Sequence, residues 1–179
     1  MKLTSLTILL FSTFFYFAQS QKKVEEHQFS LNILLPGATY EFGVGNESTI
    51  AARVAFGLAY RESDIFDSGF GVYPIGFLQY RMYTNFNRRE IKGKNIQGNS
   101  GDYFAPTALI QGGNAIIGDL DFSSNIFGGA AAVYGLQRTG KKGFQFNIEF
   151  GPAYLFDDFS DGIGLYFDLK LGFVLGKKH

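Results

Sequence analysis

The amino-acid sequence predicts an all-β protein, an eight-stranded antiparallel up-and-down transmembrane β-barrel. The strand over residues 164–175 alternates large apolar residues with residues that include a carboxylate and an ammonium, Asp168 and Lys170. Strict period-two alternation describes a strand with one face in an apolar medium, and a face with two charges cannot also lie in that medium. The pattern recurs along the chain, and 21 Phe and 10 Tyr favour strands and the aromatic girdles of membrane barrels.

The N-terminus predicts export. An apolar run over 6–18 is followed by small residues at Ala18 and Ser20, which suit a signal-peptide cleavage site. We therefore expect residues 1–20 to be a signal peptide and residues 21–179 to be the barrel domain. Retention of the run as a membrane helix is the alternative, but the run is shorter than the roughly 20 residues that a spanning helix needs.

Composition argues against several classes of function. The chain has 16 basic and 16 acidic residues, so it has no electrostatic case for binding nucleic acid. Cysteine is absent, which excludes disulfides, thiolate metal sites and a lipoprotein cysteine. With His27 and His179 as the two histidines, a metal cluster would depend on carboxylates. We therefore expect no cofactor, no metal and no catalytic residue.

Eight strands follow from the alternation and its interruptions. Pro36-Gly37 is read as a turn between two strands, because proline removes a ladder donor; a single kinked strand is the alternative. Both chain ends must lie on one side of the membrane, so an even number of strands is required, as in single-chain bacterial barrels. The predicted strands are 27–35, 38–44, 49–60, 68–83, 101–112, 124–137, 143–156 and 163–176. A short helical turn is predicted over 87–91.

The interior is predicted to be filled. An open sheet edge does not survive in hydrocarbon, so the first strand must pair with the last. An eight-stranded barrel is only wide enough for side chains to fill it, and unpaired charges inside it would be costly. We therefore predict an interior charge network of Glu41, Arg53, Arg81, Glu149, Asp168 and Lys170.

Two registers give specific pairs within that network. A three-residue loop at 46–48 would place Glu41 opposite Arg53. A last loop centred near 159–160 would place Glu149 opposite Lys170.

Several segments together resemble a known family. These are the signal peptide, Pro36–Glu41, the basic segment Arg88–Lys94 with the following Asn99–Tyr103, and Tyr134–Arg138. They resemble small outer-membrane β-barrel proteins of the Bacteroidetes type, in the porin-like eight-stranded barrel superfamily. The resemblance implies the outer membrane of a Gram-negative bacterium, with outer-membrane lipid and the barrel-insertion machinery as partners. Its motifs are architectural and carry no catalytic signature.

The expected function is a structural or binding role through extracellular loops, in a monomer that is not an enzyme. A narrow channel or a carrier of small hydrophobic ligands is the first alternative. The second is a lipid-modifying enzyme, for which His27, Ser30 and Glu41 would be the candidate set. The third is a secreted soluble barrel with its apolar faces turned inward.

Two charged segments have simpler readings. Asp157, Asp158 and Asp161 supply oxygen ligands that suit calcium, but they do not form the Asp-x-Asp-x-Asp-Gly pattern, so a solvated acidic loop is favoured. The basic segment at 88–94 is read as a solvated turn in preference to a contact with lipid headgroups or a partner.

Overall fold

The computed structural model describes residues 22–62 and 68–176, and the predicted signal peptide lies outside them. The described chain is all-β, with one antiparallel sheet and one short helix. The elements are β1 (His27–Asn32), β2 (Gly37–Gly43), β3 (Ser48–Arg61), β4 (Gly69–Tyr83), α1 (Phe86–Ile91), β5 (Asp102–Gly112), β6 (Ile117–Gly118), β7 (Ile126–Thr139), β8 (Phe144–Phe156) and β9 (Asp161–Leu175).

Eight of the nine strands close into a ring. The ladders run β1–β2, β2–β3, β3–β4, β4–β5, β5–β7, β7–β8 and β8–β9, and β1 returns to pair with β9. These eight strands are the eight that the alternation predicts, with ends that differ by up to three residues. The strand count is wrong by one, because the two-residue β6 pairs with β4. A two-residue ladder is too short to leave an alternation pattern in the sequence.

Burial across the ring wall is the reverse of that in a water-soluble sheet protein. On β4 the side chain of Leu78 is 54% exposed, whereas those of its inward neighbours Gln79 and Arg81 are 4% and 2% exposed. The buried face is the inside of the ring, because side chains of strands that are not neighbours meet there, such as Arg53 of β3 and Asp168 of β9. The predicted orientation, with charged residues inward and apolar residues outward, is confirmed.

A turn at 33–36 separates two strands, with Pro36 as its last residue and Gly37 as the first residue of β2. β1 and β2 pair antiparallel from His27–Phe42 to Asn32–Gly37, so the single kinked strand is wrong. A side chain is not tolerated at the start of β2, because a Cβ on Gly37 would lie 2.3 Å from the carbonyl oxygen of Val54. Glycine therefore allows the β1–β2 hairpin to pack closely against β3.

The up-and-down order of the strands gives the ring two different ends. Both described chain ends, α1 and the turns at 44–47 and 140–143 lie at one end, which we call the termini end. The turn at 33–36 and the loops at 113–125 and 157–160 lie at the other, the distal end. In the described residues no helix is long and apolar enough to cross a membrane.

Side chains cover the interior at both ends. At the termini end Phe86 of α1 is fully buried and stacks on Tyr83, with ring centroids 4.6 Å apart. At the distal end the Tyr73 ring packs against Phe122, also at 4.6 Å, and the Tyr73 hydroxyl donates to the Leu120 carbonyl oxygen. The 113–125 loop therefore folds back over the ring.

Candidate functional site

The six charged residues that the sequence predicts for the interior lie together, and all six are buried. Arg81 joins two carboxylates, with Nη1 3.0 Å from Glu41 Oε2 and Nη2 3.3 Å from Glu149 Oε1. Glu149 also forms an ion pair with Lys170. Because Arg81 and Glu149 belong to β4 and β8, these contacts span the inside of the ring.

The remaining two charges continue the same chain of ion pairs. Lys170 Nζ lies 3.4 Å from Asp168 Oδ2, and Arg53 Nη2 donates to that oxygen at 2.6 Å. The Arg53 guanidinium also lies over the Phe77 ring, 3.7 Å from its centroid. Three cations and three carboxylates thus alternate from Glu41 to Arg53; we call them the charged cluster. Their equal numbers leave no net buried charge to be compensated.

Neutral donors complete the coordination of the carboxylates. Glu41 Oε1 accepts hydrogen bonds from Thr49 Oγ1 at 2.7 Å, Tyr83 Oη at 2.7 Å and Asn99 Nδ2 at 2.9 Å. Glu149 accepts from the Tyr103 hydroxyl and from Gln79 Nε2. A buried carboxylate is tolerated when its lone pairs are satisfied in this way, and such a network holds its members in one arrangement.

The predicted register between β2 and β3 is wrong by two residues. Glu41 lies opposite Ala51, and Arg53 lies opposite Thr39. The reason is the turn, in which Val44 N and Gly45 N both donate to the Ser48 carbonyl oxygen, so that the hairpin is centred on residue 46. Glu41 therefore pairs with Arg81 across the ring instead of with Arg53.

The predicted register between β8 and β9 is wrong by the same amount. Glu149 lies opposite Asp168, and Lys170 lies opposite Asn147. Asp157 N donates to the Ser160 carbonyl oxygen, which closes the turn one residue earlier than predicted. Glu149 and Lys170 nevertheless meet, because they are diagonal neighbours on one face, within reach of long side chains.

The structure separates the residues of the hypothetical hydrolytic set. Ser30 and Glu41 point inward and are buried, whereas His27 lies on the outer face. His27 Nδ1 is 2.8 Å from the Tyr40 hydroxyl, and the two rings stack. His179 lies outside the described residues. The odd spacing between His27 and Ser30 places them on opposite faces of β1.

The acidic residues of the last loop serve separate partners. Asp157 Oδ1 accepts from Phe159 N at 2.7 Å, and this bond with the similar one from Ser160 N lowers the pKa of Asp157. Asp158 Oδ2 accepts from Asn125 N at 2.6 Å. Within residues 22–62 and 68–176, no group of three or more His, Cys, Asp or Glu residues is placed to hold a metal ion.

The segment between β4 and β5, in which the sequence predicts only a short helical turn, completes the charged cluster. Asn99 is fully buried at a positive φ of 54°. Its side chain donates to Glu41 and accepts from Glu25 N at 2.8 Å, while Glu25 Oε1 accepts from Gly98 N at 2.7 Å. The one local signal is the Gly98-Asn99 pair, since Gly and Asn tolerate the left-handed region better than other residues.

Comparison with protein-family models, with curated proteins and with solved structures finds no match to this chain.

Proposed function

We propose that this chain is an integral outer-membrane β-barrel with an interior sealed by side chains, and that it has a structural or binding role through its distal loops. The main support is that the closed ring buries charged side chains on its inside and exposes apolar side chains on its outside. Leu165 is 86% exposed on the outside, whereas the six members of the charged cluster are buried inside. Closure of the ring through β1 and β9 also gives the paired backbone groups partners within the protein, as a lipid environment requires.

The energetics favour a lipid environment for the outer face. Burying one large apolar side chain is worth about 1.5–3 kcal/mol, and the outer face exposes large apolar residues on every long strand. In water that stabilisation would be lost, whereas in hydrocarbon the face meets an apolar medium. The soluble-barrel alternative requires the opposite orientation of both faces.

The packing of the interior favours a sealed barrel over a channel. The charged cluster and its neutral partners occupy the half toward the termini end, and Phe86 and Tyr83 close that mouth. An eight-stranded barrel is wide enough for side chains to fill it or to hold one small ligand, and is too narrow for the open aqueous channel of larger barrels. The narrow channel remains the alternative, and planar-bilayer recordings of the purified protein distinguish the two: the sealed barrel predicts no unitary conductance.

Ordered distal loops support a binding role. Asp119 Oδ1 accepts from Phe70 N at 3.2 Å, and Asp121 Oδ1 accepts from Ala115 N at 2.8 Å. With the bonds made by Asp157 and Asp158, these contacts hold the 113–125 and 157–160 loops in defined shapes. A preformed loop surface loses less conformational entropy when it binds a ligand.

Membrane fractionation and heat-modifiable gel migration test the membrane location. We expect the protein in the membrane fraction, with faster migration in detergent before heating than after it. Phe167→Asp places a carboxylate on the outer face and should reduce insertion. Phe159→Asp makes the same change in the exposed distal loop and serves as the matched control. Equal insertion of both variants, or a soluble mature protein without detergent, would contradict the proposal.

A further inference from the structure

The wall of the ring has a gap in its distal half. The β1–β2 hairpin is short, so β1 covers β9 only at 172–175 and β2 covers β3 only at 49–55. Beyond the turn at 33–36, residues 57–60 of β3 and 161–170 of β9 border the same opening, and no described segment pairs with either edge. We call this opening the side window.

The outward-facing side chains beside the side window are more exposed than those elsewhere on the wall. Leu58 of β3 is 73% exposed, and Ile163 of β9 is 89% exposed. Leu78 and Phe150, which face outward from strands paired on both sides, are 54% and 56% exposed. Missing neighbour strands account for this difference, so the side window is open at the surface of the described residues.

The inward-facing positions along the side window are small. They are Gly57 and Ala59 on β3, and Gly162 and Gly164 on β9. A Cβ added at Gly162 would meet no described atom within 4 Å, and one at Gly164 would meet only Leu155 Cδ1, at 3.6 Å. Side chains of the described residues therefore do not obstruct the way into the ring.

The space behind the side window is mainly apolar, and we call it the distal chamber. Its large apolar side chains point inward but are only partly buried, and they are Ile75, Phe77, Leu109, Phe127 and Leu155. An inward-facing side chain stays accessible only where it borders free space. The charged cluster ends the distal chamber on the termini side, and the 113–125 loop covers it at the distal mouth.

Outward-facing tyrosines place the side window at the level of the lipid. Tyr60 of β3 and Tyr154 of β8 point outward near the distal ends of their strands. Aromatic residues at such positions mark the membrane interface of a barrel. Because Tyr154 lies opposite Ile163, the part of β9 from Leu165 onward lies on the hydrocarbon side of that interface. This step rests on the proposed membrane location.

The edge of β9 presents unpaired backbone groups to the side window. Ile33 N donates to the Leu171 carbonyl oxygen, whereas Val174 N donates to Gly143 on the β8 side. The direction alternates along a strand, so odd-numbered residues of β9 point their N–H and C=O groups toward the window. Such groups are costly in hydrocarbon unless a partner supplies hydrogen bonds. The ester, amide and hydroxyl groups at the head of a lipid chain supply them.

We propose that the distal chamber binds one acyl chain of a lipid from the surrounding membrane, which enters through the side window. The chain replaces water at the apolar side chains of the chamber, where water is unfavourable. The polar groups at the head of the chain remain in the window and bond to the edge of β9. An eight-stranded barrel is wide enough to hold one small ligand, and the charged cluster makes the chamber a pocket and not a pore.

Tryptophan fluorescence tests the distal chamber directly, because the chain has no native tryptophan. Phe77→Trp places an indole on the chamber wall, and the purified protein is reconstituted into phosphatidylcholine vesicles with or without bromine atoms on the acyl chains. Bromine quenches indole fluorescence at close approach. We expect Phe77→Trp to be quenched as strongly as Leu78→Trp, its outward-facing neighbour. Leu155→Trp repeats the test if Phe77→Trp does not fold.

An interior control measures quenching through the wall. Phe86 is fully buried at the termini end, on the other side of the charged cluster from the distal chamber. Phe86→Trp should therefore keep its fluorescence in brominated vesicles.

The route is tested by filling the side window. Gly164→Phe, combined with Phe77→Trp, should remove most of the quenching, because the added ring occupies the way in. Leu165→Phe is the matched control, since residue 165 faces outward and its replacement leaves the window open. Heat-modifiable migration shows whether each variant is folded. Gly162→Phe takes the place of Gly164→Phe if that variant does not fold.

Three results would overturn the lipid-binding chamber. They are unquenched Phe77→Trp in vesicles where Leu78→Trp is quenched, equal quenching of Phe86→Trp, and unchanged quenching after the window is filled. Absence of quenching in both Phe77→Trp and Leu78→Trp would contradict the membrane location itself, and the chamber proposal with it.

Discussion

The interior of the ring contains two regions that are held together differently. Toward the termini end, the charged cluster joins residues from β2, β3, β4, β8 and β9 through alternating ion pairs. Toward the distal end, Tyr73, Phe122 and Phe127 pack as an aromatic group, and Tyr73 makes one hydrogen bond to a loop carbonyl. We call this group the aromatic cluster.

The charged cluster and the aromatic cluster should differ in how much stability a single substitution removes. A buried ion loses several kcal/mol when its partner is removed, because its own desolvation is then uncompensated. An aromatic contact loses only its own packing and a neutral hydrogen bond. The termini-end half is therefore expected to specify one arrangement of the strands, and the distal half to tolerate variation under the loops.

The largest expected effect is the loss of Glu149. Glu149→Ala leaves Arg81 and Lys170 with one carboxylate partner each, and breaking a buried pair in this way costs about 3–5 kcal/mol. The measurement is the free energy of unfolding from urea titration in detergent micelles or vesicles. If the charge is the cause, Glu149→Leu combined with Lys170→Leu should cost less than Glu149→Leu alone. A single variant that loses less than about 1 kcal/mol would contradict this account of the cluster.

A matched pair of tyrosine substitutions compares the two regions directly. The Tyr103 hydroxyl donates to Glu149 and accepts from Asn147 Nδ2 at 2.8 Å, whereas the Tyr73 hydroxyl donates to a neutral carbonyl. Tyr103→Phe should therefore cost about 1.5–3 kcal/mol, and Tyr73→Phe about 1 kcal/mol. Both are measured by the same urea titration. Equal losses would show that the charged and aromatic regions do not differ in this respect.

The smallest expected effect concerns the distal loop and pH. Hydrogen bonds from the amides of Phe159 and Ser160 lower the pKa of Asp157. The resulting stabilisation is present above the ordinary aspartate pKa of about 4 and is lost as the pH falls through the lower value in the folded loop. As the pH falls, the amides of residues 159 and 160 should lose protection from hydrogen exchange in the native protein. In Asp157→Asn the side chain does not titrate, so this loss of protection should be absent. Identical pH profiles for the two proteins would remove this role.

The sequence predicts which face of a strand a side chain lies on, but it does not predict the strand register. The face on which Glu41, Arg53 or Lys170 lies follows from period-two alternation, which is a local property of a strand. Both predicted registers were wrong by two residues, yet all six residues stayed inside, because a shift of two preserves the face and only a shift of one reverses it. Of the two predicted pairs, Glu41–Arg53 is replaced by Glu41–Arg81 and Arg53–Asp168, because the opposed residues depend on where each turn closes. Glu149–Lys170 is kept, because diagonal neighbours remain within reach.

Turn closure was missed for a specific reason. In the β2–β3 turn the Ser48 carbonyl oxygen accepts the closing backbone hydrogen bonds, and in the β8–β9 turn the Ser160 carbonyl oxygen does so. The spacing of apolar residues does not predict such bonds. The buried position of Asn99 was missed likewise, because its partners Glu41 and Glu25 lie 58 and 74 residues away in the chain.

The sequence by itself determined the all-β class of the described residues, the places of the eight ring strands and the side chains that point inward. These features follow from local periodicity and from the cost of placing charges in an apolar medium. The tertiary structure alone decided that Arg81 and not Arg53 pairs with Glu41, that 84–101 closes the termini end, and that β1 meets β9 at residues 172–175. Each of these depends on how turns set the stagger of distant strands around a closed ring, and that stagger has no local signature.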